Sequence, residues 1–173
     1  MRAVAALVSL LALAGCGYHL AGEQRDPLAP IVVQGGRALV PQVEALAAAE
    51  DGARSELSRG GALAAGADGE SALVVEILRI EEISEGIASA PSARGALPLA
   101  RGTRLAVSGR ASLRRGGKVE RETGDMRAAD TFARDDEAAR SLVQRREAIR
   151  RAARLLGERL ARRLLGYPEP GEP

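Results

Sequence analysis

The sequence predicts an α+β fold: a two-layer sandwich with two helices packed on one face of a four-stranded mixed sheet. Three observations predict it. Apolar residues recur at helical spacing in two stretches, they alternate with polar residues in the strands between, and a Gly116-Gly117 pair sits where a hairpin must turn. The element order is strand, helix, three strands, helix. Two amphipathic helices need an apolar partner, and one face of an alternating sheet supplies it. The first two strands are then joined by a right-handed helical crossover, leaving the other face of the sheet free, polar and available.

Each element has its own signal. Ile31-Val32-Val33 is a β-branched run closed by Gly35-Gly36, a short first strand. Val40, Val43, Leu46, Ala47, Ala53 and Leu57 recur at helical spacing, with Glu44, Glu50, Asp51 and Arg54 mostly off that stripe, up to Gly60-Gly61. Alanine favours helix, while Gly52 marks a place where this one could break. Residues 71–83 put Leu73, Val75, Ile77, Ile80 and Ile83 on a buried strand, although the second half also fits a helical spacing. Residues 84–100, small, polar and interrupted by Pro91, Gly95 and Pro98, predict a long exposed loop.

Leu105, Val107, Gly109, Ala111 and Leu113 alternate with Arg104, Ser108, Arg110, Ser112 and Arg114, the pattern of a half-buried strand. Gly116-Gly117 supplies the positive φ angles of a two-residue turn. With Arg115 opposite Lys118, that turn sets Val107 opposite Met126 and Leu105 opposite Ala128. Asp135 and Asp136 place negative charge at the start of a last helix. Its stripe is Ala138, Leu142, Ile149, Ala152, Ala153, Leu156, Leu160 and Leu164, with Gly166 and Pro168 stopping it. Glu147 with Arg151 and Glu158 with Arg162 are spaced as i,i+4 pairs. Such a helix could lie on a membrane, but a moderate stripe of Leu and Ala more often packs on a sheet.

Composition excludes several functions. Aromatics are confined to Tyr18, Tyr167 and Phe132, so nothing is available for stacking bases, and no nucleic-acid partner is expected. His19 is the only histidine and Cys16 the only cysteine, which leaves neither a catalytic triad nor a metal cluster. There is no glycine-rich phosphate loop with its lysine. Glu81-Glu82 and Asp135-Asp136 read as a solvated strand edge and a helix start. No cofactor is expected, and the chain reads as a binding or assembly protein rather than an enzyme. Charge is uneven: residues 101–118 carry six basic groups and no acidic one, and residues 140–163 carry nine arginines against Glu147 and Glu158. One face suited to an anionic partner would explain this; ordinary solvated surface would too.

The amino end is the most specific segment. Met1-Arg2 gives a basic tip, residues 3–14 are uncharged and apolar, and Leu13-Ala14-Gly15-Cys16 follows. The run is short of the roughly 20 residues needed to span a bilayer and has the plan of a cleavable secretory signal. Leu-Ala-Gly-Cys is the lipobox pattern: small residues admit the protease, and the thiol is the nucleophile that takes a diacylglycerol. The expected organisation is a signal peptide at 1–15, a lipidated tether at 16–30, one domain at 31–166 and a disordered tail at 167–173. One acyl chain binds marginally, and two or three hold firmly. Gly17, where an Asp often means retention at the inner membrane, leans towards the outer membrane.

Cys16-Gly17-Tyr18-His19-Leu20 resembles the mature amino terminus of the LptE family of outer-membrane lipoproteins. The element order agrees with that family, and so does the closing helix containing Arg145-Arg146-Glu147-Ala148 and Ala152-Ala153. The resemblance implies an outer-membrane lipoprotein on the periplasmic side. It implies that the chain plugs and helps assemble the LptD β-barrel for lipopolysaccharide transport, and itself binds lipopolysaccharide. Arginine forks match phosphate oxygens, so the contact candidates are Arg101, Arg104, Arg110, Arg114, Arg115 and Lys118, with Arg94 and Arg127 behind them. The family commonly carries aromatics in its sheet, which this chain does not. The rival reading is another periplasm-facing lipoprotein, such as an accessory activator of a cell-wall enzyme, with the same anchor and no barrel.

Overall fold

The computed structural model describes residues 30–66, 70–85, 102–133 and 137–167. The elements are β1 (Ile31–Ala38), α1 (Val43–Arg59), β2 (Ser71–Glu85), β3 (Gly102–Arg115), β4 (Lys118–Glu122), β5 (Met126–Ala133) and α2 (Ala138–Leu165). Strand order is β1-β2-β3, with β4 and β5 one after the other along the free edge of β3. β1 and β2 are parallel across the α1 crossover, and every other pairing is antiparallel. The predicted α+β architecture is therefore present, with the fourth strand split in two.

Alternation decides which face of the sheet is covered. Leu73, Val75 and Ile77 of β2, with Leu105 and Val107 of β3, are fully buried against Ala49, Ala53 and Leu57 of α1 and Ile149, Leu156 and Leu160 of α2. Each large side chain buried in this way contributes about 1.5–3 kcal/mol. A bulge between Ile77 and Arg79 shifts the alternation of β2, so Ile80 rather than Arg79 turns to the core. Beyond it Glu82 faces the helices, where it takes a hydrogen bond from Arg145 Nε. Ile83 is consequently exposed, contrary to its expected burial.

Several boundaries differ from those read in the sequence. β1 runs on through Gly35-Gly36 to Ala38, and Gly35 packs so closely on α1 that a side chain there would collide with Glu50 and Leu46. The buried stripe of α1 is Ala45, Ala49, Gly52, Ala53, Glu56 and Leu57; Val43 and Ala47 face solvent. The smallest residues, not the most apolar, face α2. Gly52 does not break the helix: a Cβ there would meet the backbone carbonyl of Arg154, so its absence allows the close crossing. Helix α2 is buried only from Ala148 onward. Leu142 and Val143 are 66% and 65% exposed. Its two expected i,i+4 pairs are replaced by tertiary ones, Arg151 going to Asp130 of β5 at 2.6 Å and Arg162 to Glu56 of α1 at 2.7 Å.

The hairpin turn lies at Gly116-Gly117, with φ of 55° and 80°, and Arg115 does face Lys118. The register beyond it is corrected: Val107 faces Ala128, Leu105 faces Asp130, and Met126 faces Gly109. One extra residue is absorbed beside the Leu113/Arg114 irregularity and another across the break at Thr123–Asp125. At that break the Thr123 hydroxyl accepts the Ala111 N–H at 2.9 Å in place of a strand carbonyl, and Gly124 turns the chain at φ 71°. A slip of two preserves the face of every side chain, so Leu105 and Val107 stay inward.

Gly166 closes α2 in the left-handed conformation, with the Tyr167 N–H bonded to the Arg162 carbonyl at 2.9 Å. The expected signal peptide, Cys16, the 84–100 loop beyond Glu85, and Asp135 and Asp136 lie outside the described residues. No helix among the described residues is long and apolar enough to cross a membrane.

Candidate functional site

The candidate contact surface follows from β3, whose even-numbered residues face away from the helices. Arg104, Arg110 and Arg114 all point outward there and are exposed, as their alternation with Leu105, Ala111 and Leu113 dictates. Arg115 and Lys118 flank the turn. Arg101 lies outside the described residues. The sequence treats these groups as one patch, but the strand separates them. Ten residues at 3.3 Å each place Arg104 about 33 Å from Arg114, so no single small anion spans both.

Electrostatics divides them further. Arg110 Nε donates to Glu76 Oε2 of β2 at 2.7 Å, directly across the strand pair. That hydrogen bond first, and the Glu76 charge second, raise the Arg110 guanidinium above its ordinary value; Asp125 and Glu122 add to the same effect. Arg110 therefore sits among three carboxylates. Arg115 is bonded to Ser71 Oγ and to Glu120, both at 3.3 Å. Arg127 and Arg79 share Glu81, at 3.1 and 3.2 Å. Arg114 and Lys118 are exposed and have no ion pair among the described residues.

The outer face is thus not the free polar surface expected of it. Its arginines are largely neutralised by glutamates one strand away, and the short side chains of Ala106 and Ser108 are buried between their longer neighbours. The one depression described on it, about 360 Å³, is lined by Leu78, Arg79, Ser108, Asp125, Met126 and Arg127. It lies at the β2 bulge and mixes both signs of charge. A second, of about 470 Å³, runs between the helices and includes Glu44, Asp51, Glu147, Arg150, Arg151 and Arg154. It too is of mixed sign. Among the described residues no cluster of His, Cys, Asp and Glu could hold a metal ion.

The arginine-rich last helix is structural. Arg145, Arg151 and Arg159 reach Glu82, Asp130 and the Arg127 carbonyl of the sheet, and Arg146 and Arg162 reach Glu44 and Glu56 of α1. Arg140, Arg150 and Arg154 pair locally with Glu137, Glu147 and Glu158, and Arg163 has no ion pair among the described residues. Sequence reasoning missed Glu56, which is buried between the helices and held by Arg59 and Arg162. A carboxylate next to Leu57 on the helical stripe was the signal available.

No protein-family description matches the sequence, and no curated protein matches it. Solved structures do match. A candidate lipoprotein of Caulobacter crescentus CB15 aligns over 80% of this chain and 93% of its own, at 14% identity and a TM-score of 0.52. The two chains share a fold. A minor lipoprotein of Acinetobacter baumannii aligns over 79% and 94%, at 14% identity and TM-score 0.43. Rare lipoprotein B of Shewanella oneidensis aligns over 78% and 91%, at 13% identity and TM-score 0.35.

Proposed function

We propose that this chain is a lipoprotein of the LptE type. In this reading, acyl chains on Cys16 hold it at the outer membrane on the periplasmic side. The domain seats in an LptD-type β-barrel and helps it assemble, in the service of lipopolysaccharide transport. It works by binding, with no catalytic step and no cofactor. The observation that carries the reading is the run Cys16-Gly17-Tyr18-His19-Leu20, placed at the end of an apolar leader and ahead of a strand-helix-three-strand-helix domain. The fold shared with the Caulobacter crescentus candidate lipoprotein supports the lipoprotein part.

For lipopolysaccharide itself, Arg114 and Lys118 are the groups able to meet a phosphate without first giving up a carboxylate. Arg110 can do so only by releasing Glu76. That pairing favours a second reading, a periplasm-facing lipoprotein that needs neither barrel nor lipopolysaccharide, such as an accessory activator of a cell-wall enzyme.

The test is a pull-down of the tagged, lipidated protein from detergent-solubilised envelopes, with mass spectrometry of what accompanies it. A stoichiometric large β-barrel of the LptD type is the expected result. A cell-wall synthase, or no barrel, would move the function to the second reading.

A further inference from the structure

We propose that the β3–β4 hairpin is a membrane-contact surface. Arg114, Arg115, Lys118 and Arg121, around the half-exposed Val119, rest on the anionic phospholipid headgroups of the leaflet that holds the anchor. This rests on the reading of Cys16 as lipidated, and adds to it an orientation of the whole domain while it is anchored but not yet seated in a barrel.

The orientation follows from topology. The chain enters the fold at Ile31, which pairs with Ser71 at the start of β2; Ser71 in turn pairs with Arg115 beside the hairpin turn. The entry point and the hairpin therefore share one end of the sheet. The end of α2 is there too, since Arg121 donates to the Leu164 carbonyl at 3.3 Å, and it brings Arg163, which has no ion pair among the described residues.

Fourteen residues separate Cys16 from Ile31. A chain of that length reaches at most about 50 Å, and a coil of that length spans on average about 20 Å. β3, at fourteen residues, is about 45 Å long. The anchor thus holds the hairpin end at high effective concentration near the surface. Bringing the opposite end down would stretch the connecting residues almost to their limit.

Charge favours the same end. Residues 114–121 carry four basic groups and one acidic, Glu120, with Glu122 and Glu70 nearby. Arg114 and Lys118 lack ion pairs among the described residues, and Val119 pairs with Arg114 on the outer face. Each Lys or Arg close to an anionic surface improves partitioning by about fivefold. The rivals are the opposite end, which carries the exposed Leu142 and Val143, and the middle of the sheet, where Leu39 lies about 26 Å along β1 from Ile31 beside the exposed Val43.

The experiment uses the full lipidated chain purified from membranes and reconstituted in phosphatidylcholine vesicles with or without phosphatidylglycerol. Cys16 is the only cysteine and is blocked when lipidated, so Val119→Cys and Leu39→Cys each provide one site for a fluorophore. Lipids spin-labelled at the headgroup quench whichever label lies at the surface. With phosphatidylglycerol, quenching should be several-fold stronger at position 119 than at position 39. High salt should remove that difference, and adding Arg114→Glu and Lys118→Glu should lower the docked population ~10-fold or more. Equal quenching at both positions, or stronger quenching at 39, on protein that still floats with the vesicles would overturn the hairpin contact and leave the anchor intact. Failure to float with vesicles of either composition would remove the anchor and the orientation with it.

Discussion

Gly52 of α1 and Gly157 of α2 lie against each other's helix backbone. A Cβ at Gly52 would collide with the carbonyl of Arg154, and one at Gly157 with the carbonyl of Ala49. The two helices run parallel over the sheet and approach this closely because Ala45, Ala49, Ala53, Ala152 and Ala153 fill the buried surface around the crossing. In a chain with almost no aromatics, close approach replaces side-chain bulk as the way to fill the core.

Gly157→Ala therefore sets two effects against each other. Alanine is the better helix former by about 1 kcal/mol, while forcing a methyl group into a packed contact costs about 1–3 kcal/mol. Because the obstacle is backbone, not a flexible side chain, the clash should win. Urea denaturation should show a net loss of about 1–2 kcal/mol. Equal or greater stability would mean that the helices separate freely.

Glu56 and Arg162 form the most enclosed ion pair described, at 2.7 Å, with the carboxylate side chain 8% exposed. Removing one partner of a fully buried pair costs about 3–5 kcal/mol. Here Arg162 and Arg59 both reach solvent, so Glu56→Ala should cost less, about 2 kcal/mol. Glu56→Met combined with Arg162→Met should recover part of that loss. Additive single and double variants in a denaturation cycle would show that the pair is not coupled.

Thr123 offers its hydroxyl to Ala111 where the β4–β5 strand breaks. Thr123→Val keeps the shape and removes the acceptor, leaving the Ala111 N–H unpaired. A loss of about 1–2 kcal/mol is expected, with Thr123→Ser close to the parent. The check is thermal unfolding together with amide exchange at Ala111, whose protection should fall in the valine variant alone.

Cys16→Ser should abolish incorporation of labelled fatty acid, and persistence of the label would remove the anchoring proposal. Charge reversal of Arg110, Arg114 and Lys118 together should weaken lipopolysaccharide binding and flatten its salt dependence. Most of that effect should come from Arg114 and Lys118, since Arg110 is already engaged by Glu76. Glu76→Gln should have the opposite sign and strengthen binding by releasing Arg110. The raised Arg110 guanidinium stays charged at any practical assay pH, so its share should not vary with alkaline pH. Binding to the triple variant that matches the parent at low salt would exclude the hairpin as the contact.

The legible parts of the fold were those governed by neighbours in sequence. Alternation from Leu105 to Leu113 identified the inward face of β3, and Gly116-Gly117 identified its turn. The register past the turn was not legible, because two single-residue insertions near Arg114 and Thr123 leave the apolar alternation intact. A slip of two is silent in a period-two pattern. The candidate site was legible as charge but not as pairing. Glu76 is far from Arg110 in sequence, and only the β2–β3 register brings them together.

The sequence by itself determined the element order, the inward face of β3 and of β2 as far as its bulge, and the lipobox around Cys16, because each depends on residue type at short, fixed spacing. Tertiary structure decided the rest. It turned the small face of α1 inward instead of Val43, made Gly52 a contact instead of a break, and committed five of the nine α2 arginines to partners distant in sequence. Which glutamate an arginine meets, and whether a glycine is a weakness or a requirement, depends on what another element places within a few ångströms of it.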